Sequence, residues 1–241
     1  MNRIMKSQKN SDKEEGKVTS VVNRRLFLRS AGLATSMGAI VLNACKSDDP
    51  DPMIPGTGGG AVELGTGDIG VLNYAYALEQ LEAAFYTQVI TTPYSGMTDA
   101  EKTILTDIRD HEIIHREFFK TALGDKAIKG LTPDFSTIDF TKRDSVLGAA
   151  KLFEDTGVAA YNGAGKLIKN VDYLLLAGKI VSVEARHAAV IRDLLTPKTA
   201  SFAGDDIVDA NGFDKATPPA DILAAVKGYV KDTITGASVG K

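Results

Sequence analysis

The stretch Lys179–Leu195, KIVSVEARHAAVIRDLL, decides how this chain is read. Its apolar residues recur every three or four positions, the period of a helix with one buried face. On that helix Glu184 and His187 stand three apart, so the carboxylate and the imidazole share a face one turn apart. A single E-x-x-H is most simply a solvated face, or a histidine satisfied by a neighbouring acid. The rest of the sequence argues against that reading.

Only three histidines occur, His111, His115 and His187. A second helical segment contains His111–His115, HEIIH, in which Glu112 and His115 repeat the same spacing. Two of the three histidines are thus preceded by Glu at the same interval.

Periodicity predicts four long helices. The first, about 68–91, has Asp68 as N-cap and carries Leu72, Ala75, Leu78, Leu81, Phe85 and Val89 on one side. The second, about 98–123, opens with the capping box Thr98-x-x-Glu101 and is closed by Gly124. Residues 124–143 hold two glycines and Pro133 and read as a long crossover. The third helix runs about 144–169 and the fourth about 172–195, stopping before Pro197. A short helix is expected near 220–234, after TPPAD. Short loops make two antiparallel hairpins, and one long crossover between them is the connectivity of ferritin-like bundles. The fold class expected is therefore all-α, an antiparallel four-helix bundle with a short C-terminal helix.

In such a bundle a two-metal site takes one Glu from each of two helices and a Glu-x-x-His from each of the other two. The third helix has one glutamate, Glu154. The first offers Glu79 and Glu82. At the helical rise, Glu112 lies about 21 Å along from Thr98, while Glu79 lies about 18 Å and Glu82 about 13 Å from the end of the first helix. Level matching leans towards Glu79 and leaves Glu82 as the alternative. Tyr86 and Tyr161 each follow a candidate by seven residues, Glu79 and Glu154, and so return to nearly the same face. Their hydroxyls could hold a ligand carboxylate across the bundle. Four buried carboxylates would be very costly without a counter-charge, and metal ions supply it. Carboxylate and imidazole donors suit iron or manganese.

The quoted segments, with LNYAYALEQLEAAFY (Leu72–Tyr86), resemble the ferritin-like superfamily of di-iron carboxylate proteins. They are closest to a bacterial, often exported group that also covers desiccation-related proteins. The resemblance spans about 68–195. It implies Glu79, Glu112, His115, Glu154, Glu184 and His187 as ligands of two iron ions, or alternatively manganese. It also implies chemistry with O2 or peroxide: ferrous oxidation, peroxide reduction or manganese catalase activity. His111, about 100° round from Glu112, is expected beside the site and not on the metal.

Two other readings compete. HEIIH matches the zinc metalloprotease helix H-E-x-x-H, with His111 and His115 on zinc, Glu112 as base and His187 or Glu184 as third ligand. That leaves Glu79 and Glu154 without a role. A metal-free scaffold or stress protein on the same fold is the other alternative.

The remaining segments concern location. Arg24-Arg25 with Phe27-Leu28, followed by about 15 apolar residues, resembles a twin-arginine export signal. LNAC (Leu42–Cys45) resembles a lipobox, implying cleavage and lipidation at Cys45. Cys45 is the single cysteine, so no intrachain disulfide can form. Residues 1–44 are thus expected to be signal and 45–67 a flexible tether. Residues 68–195 are the bundle, and 196–241 a C-terminal extension. Lys46 after the lipidated position favours the outer membrane by resemblance to Gram-negative lipoproteins. A tethered chain is awkward for a closed storage cage, so bulk iron storage is not expected. The net charge of -3 argues against a nucleic-acid partner. A homo-oligomer is left open.

Overall fold

A computed structural model of the chain describes residues 61–241. The expected export signal, Cys45 and most of the expected tether lie outside the described residues. Four long helices dominate: α1 (Gly67–Thr91), α2 (Asp99–Leu123), α3 (Arg143–Gly165) and α4 (Val171–Leu195). A shorter helix, α5 (Pro219–Val226), lies in the C-terminal extension. A two-residue parallel pair joins β1 (Val62–Glu63) to β2 (Ile234–Thr235), with Val62 opposite Ile234.

Each boundary has a local cause. Thr98 accepts from the Glu101 backbone N–H at 3.2 Å, and the Glu101 carboxylate accepts from the Thr98 N–H at 3.0 Å, so the capping box forms at α2. Asn170 caps α4 by accepting from the Asp172 N–H at 2.9 Å. Asp68 does not cap α1, whose N-cap is Thr66 without a side-chain bond. The Asp68 carboxylate instead accepts from the backbone N–H groups of Lys169 and Asn170, at 2.8 and 2.9 Å, and ties the start of α1 to the α3–α4 turn. The third helix ends four residues earlier than the expected 169. Its last turn passes into a turn in which the Leu167 and Ile168 N–H groups bond to Ala164 and Gly165.

Helix α1 is buried nearly all round, as befits the centre of a bundle. Helix α2 has a narrower buried stripe of Glu101, Leu105, Ile108, Glu112, Phe119 and Leu123. The crossover climbs along α1. Its Ile128 and Leu131 N–H groups bond to the side chains of Asn73 and Gln80 at 2.9 and 2.8 Å. Phe135 and Phe140 then reach the fully buried Phe85. Arg143 closes the far end by bonding Glu101 and the Leu194 carbonyl at 2.6 and 2.8 Å.

The C-terminal extension packs on the bundle. The Thr217 N–H bonds to the Ala159 carbonyl at 2.9 Å. Gly163 permits this contact, because a Cβ there would lie 1.8 Å from the Thr217 carbonyl oxygen. Arg192, itself buried, bonds Asp155 on α3 and Asp206 in the extension through four contacts of 2.7–3.0 Å. Two expectations are corrected here. The helix near 220–234 is only α5 and a following 3-10 turn. The last residues of the expected tether belong to the fold: Val62 and Leu64 are buried, and β1 pairs with β2. Among the described residues, no helix is long and apolar enough to cross a membrane.

Candidate metal centre

The four long helices each bury a glutamate in the same cluster. Glu79, Glu112 and Glu154 have no exposed surface and Glu184 has 1%. His187 is buried and His115 nearly so. Their ligand-type atoms fall into two groups, each spanning less than 4.8 Å. Glu79, Glu112, His115 and Glu184 form one. Glu112, Glu154, Glu184 and His187 form the other. Glu112 and Glu184 belong to both.

The contacts within the groups are close. His115 Nδ1 lies 2.8 Å from Glu184 and 3.5 Å from Glu79. His187 Nδ1 lies 2.8 Å from Glu112, 3.3 Å from Glu184 and 3.6 Å from Glu154. Yet none of these contacts has hydrogen-bond geometry. Both oxygens of Glu112 and of Glu184, one each of Glu79 and Glu154, and both Nδ1 atoms are buried without a hydrogen-bond partner. Buried polar atoms are otherwise almost always paired. A cluster of metal-ligand-type atoms, facing one another at ion-pair distance without an aligned hydrogen bond, is what a cation-binding set requires. The residues therefore fit a metal.

The electrostatics agree. Burial, then the charge of Glu184, pushes the Glu112 carboxyl well above the usual carboxylate range. Burial also raises Glu154. Burial works against charging His115, but Glu184 and Glu79 outweigh it and push the imidazole up to about 10. The same opposition, with Glu112, Glu154 and Glu184 prevailing, raises His187. Without a cation, the carboxylates can be neutralised only by protons or by the imidazoles.

The outer contacts hold two of these glutamates still. The Tyr86 hydroxyl on α1 donates to Glu154 Oε1 on α3 at 2.5 Å. The Tyr161 hydroxyl on α3 donates to Glu79 Oε1 on α1. Each phenol thus orients the glutamate of the opposite helix and leaves that glutamate's second oxygen for the centre. His111 Nδ1 lies 2.9 Å from His187 Nε2, with the rings stacked at 11°. His111 belongs to neither group, so His111 and His115 do not converge as the zinc reading of HEIIH requires.

Glu82, the alternative to Glu79, also stays outside both groups. It is nevertheless buried. Its carboxylate fills the space above Gly157, where a Cβ would lie 3.1 Å from Oε1. Burial, then Glu112, Glu154, Glu184 and Glu79, push its carboxyl well above the usual range. Sequence reasoning treated Glu79 and Glu82 as rivals and missed that both are buried in one cluster. The signal was present: they repeat the three-residue spacing of the two E-x-x-H pairs.

No curated protein matches this chain. The family model described as a ferritin-like domain matches residues 67–197, which cover the four long helices and the whole cluster. The chain belongs to the ferritin-like domain family.

Proposed function

We propose that the chain is a two-metal carboxylate protein, with iron or alternatively manganese, that performs redox chemistry with O2 or peroxide at the cell envelope. The observation that carries this reading is the sharing of Glu112 and Glu184 between two four-residue groups. Glu112 and Glu184 would serve both ions. Glu79 and His115 would complete one site, and Glu154 and His187 the other. When bound, two divalent ions would supply one electron each, which with two protons carry O2 to hydrogen peroxide, or hydrogen peroxide to two waters.

The chain's own residues would bind, orient and exclude water. Tyr86 and Tyr161 would fix the two terminal glutamates. His111 would hold the Nε2 edge of His187 and keep its Nδ1 turned inward. The apolar bundle would keep bulk water from the reacting ions. The location rests on the N-terminal segment: Arg24-Arg25 and the LNAC sequence support export and a lipid anchor on Cys45. A twin-arginine route carries folded proteins, so a metal could be loaded before export.

A thermal titration tests the reading. Anaerobic Fe(II) or Mn(II) at about 1,000 times Kd should stabilise the chain by about 4 kcal/mol. For a domain of this size that is a rise of about 8–16 °C. The loaded chain should then consume O2 or peroxide. No shift with Fe(II), Mn(II) or Zn(II) would leave a metal-free scaffold.

A further inference from the structure

A second feature lies one side chain from the centre. Between the four long helices, at the end that carries the α3–α4 turn, is a pocket with almost wholly apolar walls. It leaves about 20 Å³ for the centre of a water-sized sphere, room for one small molecule. Its inner wall is Leu78, Ala160 and Tyr161, all buried. Its outer wall, Gly165, Ile168 and Ala177, is half-buried and leads towards the surface. Tyr161 is also the residue whose hydroxyl donates to Glu79.

The chemistry of the walls selects the occupant. An ion would lose its hydration with nothing in return. Enclosed apolar cavities stay dry and take up apolar guests, and the buried inner part of this pocket has such walls. Tyr161 has its hydroxyl committed to Glu79, and the Tyr74 hydroxyl is the one lining hydroxyl left buried without a partner. One hydroxyl cannot replace the several hydrogen bonds that hydrogen peroxide makes in water. Dioxygen has none to lose.

We propose that this pocket binds an apolar diatomic of dioxygen size and delivers it to the Glu79–His115 side of the centre. The delivery rests on the two-metal reading; the binding does not. Of the two oxidants, the pocket therefore admits O2, and a polar oxidant must use another route.

Methyl NMR of the full chain under xenon pressure tests the binding without any metal. Saturable shifts should be confined to pocket methyls, such as those of Ala75, Ala160, Ala164 and Leu78. Ala177→Leu, which fills the outer wall, should abolish them. Leu72→Ala, which enlarges the pocket, should increase them and serves if the first variant folds poorly. Absent or uniformly spread shifts would overturn the proposal. In the Fe(II)-loaded chain, Ala177→Leu should slow oxidation by dissolved O2 at least fivefold and leave oxidation by hydrogen peroxide within twofold. Equal slowing of both would also overturn it. A chain that binds xenon at these methyls but takes up no iron would sink the two-metal reading and leave the gas pocket standing.

Discussion

Tyr86 donates from α1 to Glu154 on α3 at 2.5 Å, and Tyr161 returns the same bond from α3 to Glu79 on α1. The two contacts are reciprocal, each helix supplying the phenol that holds the other's glutamate. A phenol that bonds one carboxylate oxygen fixes the direction of the other. Tyr86→Phe should therefore retain two ions at saturation but weaken the Glu154–His187 site by about 10–100-fold. Tyr161→Phe should do the same at the Glu79–His115 site. Competition with a chelator of known affinity would measure both. Unchanged affinity would mean that the phenols only pack.

The proposed division into shared and terminal ligands predicts a pattern of losses. Glu79→Ala and Glu154→Ala should each leave about one ion per chain, and Glu112→Ala or Glu184→Ala none. Glu82→Ala should leave two, because Glu82 lies outside both groups. Loss of metal in Glu82→Ala with retention in Glu79→Ala would reverse the assignment on α1. Elemental analysis of the five variants decides it.

The extension depends on one missing side chain. Gly163→Ala would drive a Cβ into the Thr217 carbonyl, which is backbone and cannot turn aside. The extension should lift from α3 at a cost of about 1–3 kcal/mol. Limited proteolysis near residues 204–217 should become faster, while the helical circular dichroism stays close to that of the parent. Equal cleavage rates would contradict the contact.

The Arg192 contact has a pH signature. Arg192 holds the Asp206 carboxyl down to about 2. A carboxyl held below its unfolded value stabilises the fold fully above about pH 4, the ordinary aspartate range. That contribution is lost as pH falls through about 2. The Tm of the parent should exceed that of Asp206→Asn at pH 5, and the difference should close between about pH 4 and 2. Since Asp206 is largely exposed, the gap should be small and shrink in high salt. A gap independent of pH would assign the effect to packing.

Much of this arrangement could be read from residue spacing. Glu112 occupies a position of the buried stripe of α2 that its period reserves for an apolar side chain, between Ile108 and Phe119. A charge in such a place requires a partner, and Glu112-x-x-His115 marks the site, although the imidazole that reaches Glu112, at 2.8 Å, is His187 of α4, and His115 reaches Glu184 instead. The choice between Glu79 and Glu82 was less legible, because α1 is buried nearly all round and its period marks no single face. The docking of the extension was illegible for a different reason. The contacts of Gly163 with Thr217 and of Val62 with Ile234 join residues far apart in sequence, and no local pattern encodes them. Val62 and Leu64 sit in a glycine-rich stretch whose composition reads as linker, although tertiary packing buries both.

The central claim is that two ions share Glu112 and Glu184. Its most direct test is the metal content of the purified full chain beside Glu112→Ala/Glu184→Ala. The account predicts about two iron or manganese ions per chain in the parent and none in the double variant. One zinc per chain, kept in Glu184→Ala and lost in His111→Ala, would contradict it.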